Sequence, residues 1–255
     1  MTPLHVATVG HGPDLVLLHG WGMHGGIWDG VRDDLAQKFR LHVVDLPGYG
    51  ASAHCAPYTL AALARVVAQA LPERAHICGW SLGGQVAMRL ALDFPERVDR
   101  LVLMGTTPCF RQRKDWVHGM DAATLQEFAS SLERDYAGTL KRFLSLQARS
   151  GDDARAVIAV LRKQLFTRGE PSLETLRSGL AILHDLDLRD AVSAITQATL
   201  LIHGARDTLS PWACSAWLAQ HLPRATLCVV EGAAHAPFLS HRVEAMAAME
   251  RFLHG

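Results

Sequence analysis

Two glycines bracket a serine in Gly79-Trp80-Ser81-Leu82-Gly83, and this G-x-S-x-G segment limits the folds open to the chain more than any other feature. A short apolar run, His76-Ile77-Cys78, precedes it, and a helical pattern from Gly84 to Phe94 follows. The segment predicts a strand that turns sharply into a helix, with a serine at the corner. Glycine two positions away on either side removes β-carbons that so tight a turn has no room for. A serine hydroxyl is inert at neutral pH unless a base takes its proton and a third group orients that base.

This arrangement resembles the nucleophile turn of α/β-hydrolases, in which the chain order is Ser, then Asp or Glu, then His. Two later segments fit that order. Thr199-Leu200-Leu201-Ile202-His203-Gly204 reads as a buried strand ending in a turn, with Ala205-Arg206-Asp207 directly after it. Ala225-Thr226-Leu227-Cys228-Val229-Val230 reads as another strand, followed by Glu231-Gly232-Ala233-Ala234-His235. Each candidate lies just past a strand end, the edge where open α/β sheets place their ligands. Ser81, Asp207 and His235 are therefore the expected catalytic residues. Asp185 and Asp187 are rivals for the acid, but they precede a strand and are read as structural. The chain has 14 histidines, most of them on helical or surface stretches, so His235 stands out by position and not by type.

A developing oxyanion needs two fixed N–H donors. One expected donor is the amide of Leu82. The other lies after the apolar run Leu15-Val16-Leu17-Leu18, in His19-Gly20-Trp21-Gly22, where the amide of Trp21 is the candidate. Its indole either packs beneath this loop or walls the substrate pocket, and the two are compatible.

Apolar runs at 15–18, 41–44, 76–78 and 101–104 alternate with helical stretches, and the alternation resumes near residue 198. That pattern predicts an α/β fold: a mostly parallel sheet flanked by helices. Between 111 and 190 the strand signals vanish. Leu140, Phe143, Leu144 and Gln147, then Ala154, Val157, Ile158, Leu161 and Leu165, recur at helical spacing. The expected organisation is a core of 1–110 and 191–255 with a helical lid, 111–190, inserted in it.

Composition excludes several classes. With 25 basic and 25 acidic residues there is no global electrostatic case for nucleic acid. No apolar stretch nears the roughly 20 residues that span a bilayer, so no membrane association is expected. The first residues carry no basic segment followed by an apolar core, so no secretory signal is expected. Five cysteines without C-x-x-C spacing argue against a disulfide framework or a zinc site and suit a reducing cytoplasm. Hydrophobic residues at 49% and a mean hydropathy of +0.10 suit one sizeable core. No metal or organic cofactor is expected, because a triad supplies its own nucleophile and proton shuttle. One stretch stands apart in charge: residues 134–168 hold eight basic side chains, Arg134, Lys141, Arg142, Arg149, Arg155, Arg162, Lys163 and Arg168, against three acidic ones. This is either a set of solvated helix faces or a docking face for an acidic partner.

Several segments together carry a closer resemblance: His19-Gly20-Trp21-Gly22, Asp45-Leu46-Pro47-Gly48-Tyr49-Gly50, Gly79-Trp80-Ser81-Leu82-Gly83-Gly84, Pro108-Cys109-Phe110, Arg142-Phe143-Leu144-Ser145-Leu146-Gln147 and His235-Ala236-Pro237-Phe238-Leu239-Ser240-His241. Spread over nearly the whole chain, they are similar to the BioH family, the pimeloyl-[acyl-carrier protein] methyl ester esterases of biotin synthesis. The resemblance implies that Trp21, Ser81, Leu82, Phe143, Leu144, Ser145, Leu146, Gln147 and His235 contact the substrate. It also implies that lid arginines meet an acidic acyl carrier protein bearing a pimeloyl methyl ester. Arg142 and Arg155 stand where two of those arginines are found, whereas Gly138 and Ala159 fill two others, with Arg162 and Lys163 nearby. Arg242 follows His241 where the family usually has proline. The triad alone equally supports a general carboxylesterase acting on small esters. A non-catalytic binding module of the same fold is disfavoured by the intact Ser81, Asp207 and His235.

Overall fold

The computed structural model describes residues 4–148, 150–165 and 167–254. Seven strands form one sheet: β1 (Val6–Val9), β2 (Asp14–Leu18), β3 (Arg40–Val44), β4 (Ala75–Trp80), β5 (Val98–Met104), β6 (Ala198–Gly204) and β7 (Ala225–Val230). Their spatial order is β1-β3-β2-β4-β5-β6-β7. All neighbours are parallel except β1, which runs antiparallel to β3 with Val6 opposite Val44. Sequence reading did not anticipate β1. It is a half-exposed edge strand of four residues, too short and too mixed to announce itself.

Helices cover both faces: α1 (Asp29–Ala36), α2 (Leu60–Ala70), α3 (Leu82–Asp93), then α4 (Ala122–Arg134), α5 (Tyr136–Ala148), α6 (Ala154–Gln164) and α7 (Leu173–Asp185), and finally α8 (Ala213–His221), α9 (Pro237–Ser240) and α10 (Arg242–His254). Covered strands need no polar face, which is why Leu15, Val16, Leu17 and Leu18 are all wholly buried. Helix α2 shows the complementary pattern. Leu60, Leu63, Ala64, Val67 and Ala68 face the core at helical spacing, and the Thr59 hydroxyl caps the first turn by accepting from the Ala62 amide.

Helices α4 to α7 form the insertion between β5 and β6, and no strand of the sheet falls within it. Asp121 caps α4 and Ser172 caps α7. The insertion is fastened to the sheet domain through residues 152, 164 and 168. The Asp152 amide donates to the Gly232 carbonyl (3.0 Å), Arg206 pairs with Asp152, and Arg168 pairs with the buried Asp45 (3.4 Å). His24 reaches the Gln164 carbonyl at 2.6 Å. All five cysteines are free.

Candidate active site

Three parallel strands, β4, β6 and β7, release the chain at the same edge of the sheet. Ser81 follows β4 directly, with φ 56° and ψ −119°, a left-handed conformation uncommon for a residue with a side chain. Its neighbours hold it there. The Ser81 amide donates to the Met104 carbonyl (3.0 Å), and its carbonyl accepts from the Thr106 hydroxyl (2.7 Å) and the Gly84 amide (2.9 Å). The flanking glycines are required by contact. A β-carbon on Gly79 would overlap the Gly83 carbonyl, and one on Gly83 would overlap the carbonyls of Leu18 and His19. Ser81 begins α3, yet its hydroxyl does not cap the helix. It lies 3.0 Å from Nε2 of His235 instead.

His235 is wholly buried, and both sides of its peptide are fixed. Its amide donates to the Gln147 carbonyl at the end of α5 (3.0 Å), and its carbonyl accepts from the Trp80 indole (2.9 Å). On the far side of the ring, Nδ1 lies 2.7 Å from Oδ2 of Asp207. The loops carrying Asp207 and His235 are stitched together, with the Ala205 amide donating to the Val230 carbonyl and the Arg206 amide to the Ala233 carbonyl. Asp207 receives two more donors on Oδ1, the amides of Leu209 and Ser210, each at 2.9 Å. A second histidine, His203, approaches Oδ2 at 3.1 Å. Burial alone would raise the Asp207 carboxyl. The charge of His235 and the hydrogen bonds from both histidines outweigh it and hold this group well below the usual carboxylate range. Asp207 is therefore ionised throughout the neutral range.

The loop after β2 borders the serine turn, since a β-carbon on Gly20 would come within 3.2 Å of the Ser81 side chain. Within this loop, His19 is buried as a neutral ring, its Nδ1 2.8 Å from the Gly20 carbonyl and its Nε2 accepting from the Leu46 amide (2.9 Å). Trp21 follows, and its indole is committed to the insertion. Nε1 donates to the Leu176 carbonyl of α7 (3.0 Å), and the ring packs edge-on against Phe143 of α5 (4.8 Å). Leu82, the other expected donor, opens α3, where the first amides of a helix lack intrahelical acceptors.

The remaining expected residues divide between interior and surface. Phe143, Leu144 and Gln147 are buried, and Oε1 of Gln147 has no hydrogen-bond partner among the described residues. Ser145 and Leu146 line a cleft of about 340 Å³ between α4 and α5, together with Phe128 and Arg142. Phe128 packs edge-on against Phe143, so a file of aromatic rings runs from this cleft to Trp21. Arg142 and Arg155 are exposed, and neither has an ion-pair partner among the described residues. Arg168 is different: it is spent on Asp45 and Asp29. Arg149 lies outside the described residues. Gly138 sits where the Asp135 carboxylate accepts from its amide (2.9 Å), and any side chain there would overlap that carboxylate. Asp187 pairs with Arg189 and Arg113, and Asp185 with His184, so neither rival acid approaches His235. Sequence reasoning missed His203 and the bond from the His235 amide to the Gln147 carbonyl. Among the described residues no group of three or more potential metal ligands is found, and no helix is long and apolar enough to cross a membrane.

The family model of the alpha/beta hydrolase fold matches residues 13–242, and the chain belongs to that fold family. Among solved structures, an esterase from Exiguobacterium antarcticum shares the fold with a TM-score of 0.88 at 24% identity, over 100% of this chain and 96% of that one. Relatives in sequence are more specific. A pimeloyl-[acyl-carrier protein] methyl ester esterase from Nitrosomonas europaea is 52% identical over 94% of this chain and 95% of the relative. A protein of the same name from Nitrosospira multiformis is 45% identical over 98% of this chain and 97% of the relative. With such identity over nearly full length on both sides, the chain belongs to the pimeloyl-[acyl-carrier protein] methyl ester esterase family.

Proposed function

We propose that this chain is a serine carboxylesterase that hydrolyses the methyl ester of pimeloyl-[acyl-carrier protein], releasing methanol and free pimeloyl-[acyl-carrier protein] in the cytoplasmic synthesis of biotin. The observation that carries the reading is the unbroken hydrogen-bonded line from Ser81 Oγ through the His235 ring to Asp207, in a member of this family. His235 Nε2 takes the hydroxyl proton as Ser81 Oγ attacks the ester carbonyl carbon. Asp207 holds the ring and stabilises the imidazolium that forms. The amides of Leu82 and Trp21 receive the oxyanion. When the tetrahedral adduct collapses, the C–O bond to the methoxy group breaks and His235 returns its proton to the departing methanol. Water, deprotonated by the same nitrogen, then attacks the acyl-serine and frees the carboxylate and the Ser81 hydroxyl.

In this reading 111–190 is a lid on the core of 1–110 and 191–255. Phe143, Leu144, Ser145, Leu146 and Gln147 line the acyl path, and the exposed Arg142 and Arg155 meet the acidic carrier. The test is methanol release from carrier-bound pimeloyl methyl ester by the purified protein and its Ser81→Ala variant. The wild type is expected to release methanol and the variant to leave the ester intact. A kcat/KM no higher on the carrier-bound ester than on small free esters would make a general carboxylesterase the better description.

A further inference from the structure

His203 is the penultimate residue of β6, four residues before Asp207, and is wholly buried. Its Nε2 lies 2.6 Å from the Ser210 carbonyl and 3.1 Å from Asp207 Oδ2. Both neighbours are acceptors only, so Nε2 must carry the proton and donate to both. Its Nδ1 lies 2.7 Å from the Ser215 hydroxyl of α8, a group that serves a ring nitrogen in either protonation state. Oδ2 is thereby held between two imidazoles, His235 on one side and His203 on the other, while Oδ1 is held by the Leu209 and Ser210 amides. With donors on all sides the carboxylate cannot rotate away from His235. Through the Ser210 carbonyl the same ring also closes the turn that supplies the two amides.

We propose that His203 is a positioning residue for the acid, an auxiliary imidazole that locks the Asp207 carboxylate in the plane it shares with His235. This inference rests on the reading of Asp207 as the triad acid and goes beyond it, since a triad needs only one histidine. The ring never touches substrate. It acts by keeping the carboxylate oriented and its charge partly delocalised over two donors.

The experiment compares His203→Phe, His203→Gln and Asp207→Asn for hydrolysis of a p-nitrophenyl ester, with circular dichroism on each. His203→Phe keeps the ring's bulk but loses the donor, and should lower kcat roughly ten- to a hundredfold, the worth of one hydrogen bond to a charged group. KM should stay within about twofold, because no substrate contact is lost. His203→Gln, whose carboxamide can donate to Oδ2, should recover most of the loss. A folded His203→Phe with wild-type kcat, beside a crippled Asp207→Asn, overturns the inference alone. An active Asp207→Asn overturns the triad reading beneath it. If His203→Phe fails to fold, ¹⁵N-histidine NMR of the wild type decides. A proton on His203 Nε2 is the expected result, and a ring protonated only at Nδ1 overturns the proposal.

Discussion

The indole N–H of Trp80, the residue immediately before Ser81, donates to the backbone carbonyl of His235 at 2.9 Å. The variable position of the serine motif thus ties the strand of the nucleophile to the loop of the base. A hydrogen bond outside the Ser81–His235–Asp207 line helps set the 3.0 Å separation between Ser81 and His235.

Ser81→Ala should abolish ester hydrolysis and leave the fold intact. The backbone bonds that hold the turn use the amide and carbonyl of residue 81 and not its hydroxyl. Turnover of a p-nitrophenyl ester, measured beside circular dichroism, checks both halves. Near-wild-type turnover would remove Ser81 from the mechanism.

His235→Ala and Asp207→Asn should each cripple the enzyme, and the double variant should be little worse than the more damaging single one. Members of one proton-transfer unit are grossly non-additive. An amide at 207 keeps the shape but favours the wrong imidazole tautomer, a change worth about 10⁴ in kcat in a comparable triad. Losses that multiply in a double-mutant cycle would assign the two residues independent roles.

Gly83→Ala should cost about 2–3 kcal/mol of stability, because its β-carbon has no space against the Leu18 and His19 carbonyls. Relief requires moving either the end of β2 or the start of α3. Activity should fall further than stability explains, since α3 carries Ser81 and Leu82. Urea unfolding and steady-state kinetics on the same preparation separate the two effects, and a variant as stable as the parent would contradict the packing argument.

Stability should fall as pH drops from about 6.5 towards 4. Burial of His19, against the opposing pull of the Gly20 carbonyl and Asp45, pushes its pKa down to about 4. In the unfolded chain the same ring titrates near 6.5. Between these values the unfolded state binds more protons, so acidification favours it, by about 3 kcal/mol across the whole window. Above 6.5 the contribution is fully present. His24 and His76, also lowered by burial, add to the slope, so the informative comparison is with His19→Gln. Urea midpoints at several pH values should fall less steeply for that variant, and parallel curves would assign the slope elsewhere.

Reversing Arg142 and Arg155 to Glu should impair hydrolysis of the carrier-linked ester far more than that of a small ester. Both side chains are exposed and have no ion-pair partner among the described residues, as an encounter surface for an acidic partner requires. The wild-type advantage on the carrier should also shrink with added salt. Equal losses on both substrates would mean that the arginines support packing of the insertion.

The meeting of Ser81, His235 and Asp207 was legible in sequence because each lies just past an apolar strand, and strand ends at one sheet edge converge whatever the loops do between them. The parallel core was legible for a related reason: strands covered on both faces must be continuously apolar, as Leu15 to Leu18 are. What stayed hidden depends on side-chain direction. His203 reads as one more residue of a buried strand, and only the turn after Gly204 reveals that its ring meets the carboxylate four residues later. Local charge misled in one respect. Arg168 adds to the basic stretch in sequence, yet in space it is neutralised by Asp45 and Asp29, which lie more than a hundred residues earlier. The edge strand β1 is only four residues long and half-exposed, so it cannot be told from a loop before its pairing with β3 is seen.

The hydrogen bond from the His235 amide to the Gln147 carbonyl makes α5 a mechanical partner of the base. Gln147 lies in the last turn of the same helix, whose Arg142, Ser145 and Leu146 line the cleft. A displacement of α5 large enough to thread a long acyl arm past it must either drag residue 235 along or surrender that bond. In the first case proton transfer falters while the arm is in transit and resumes when the helix settles. In the second the base keeps its place on Trp80 alone. Either way, the position of α5 and that of the His235 backbone are coupled through a single hydrogen bond.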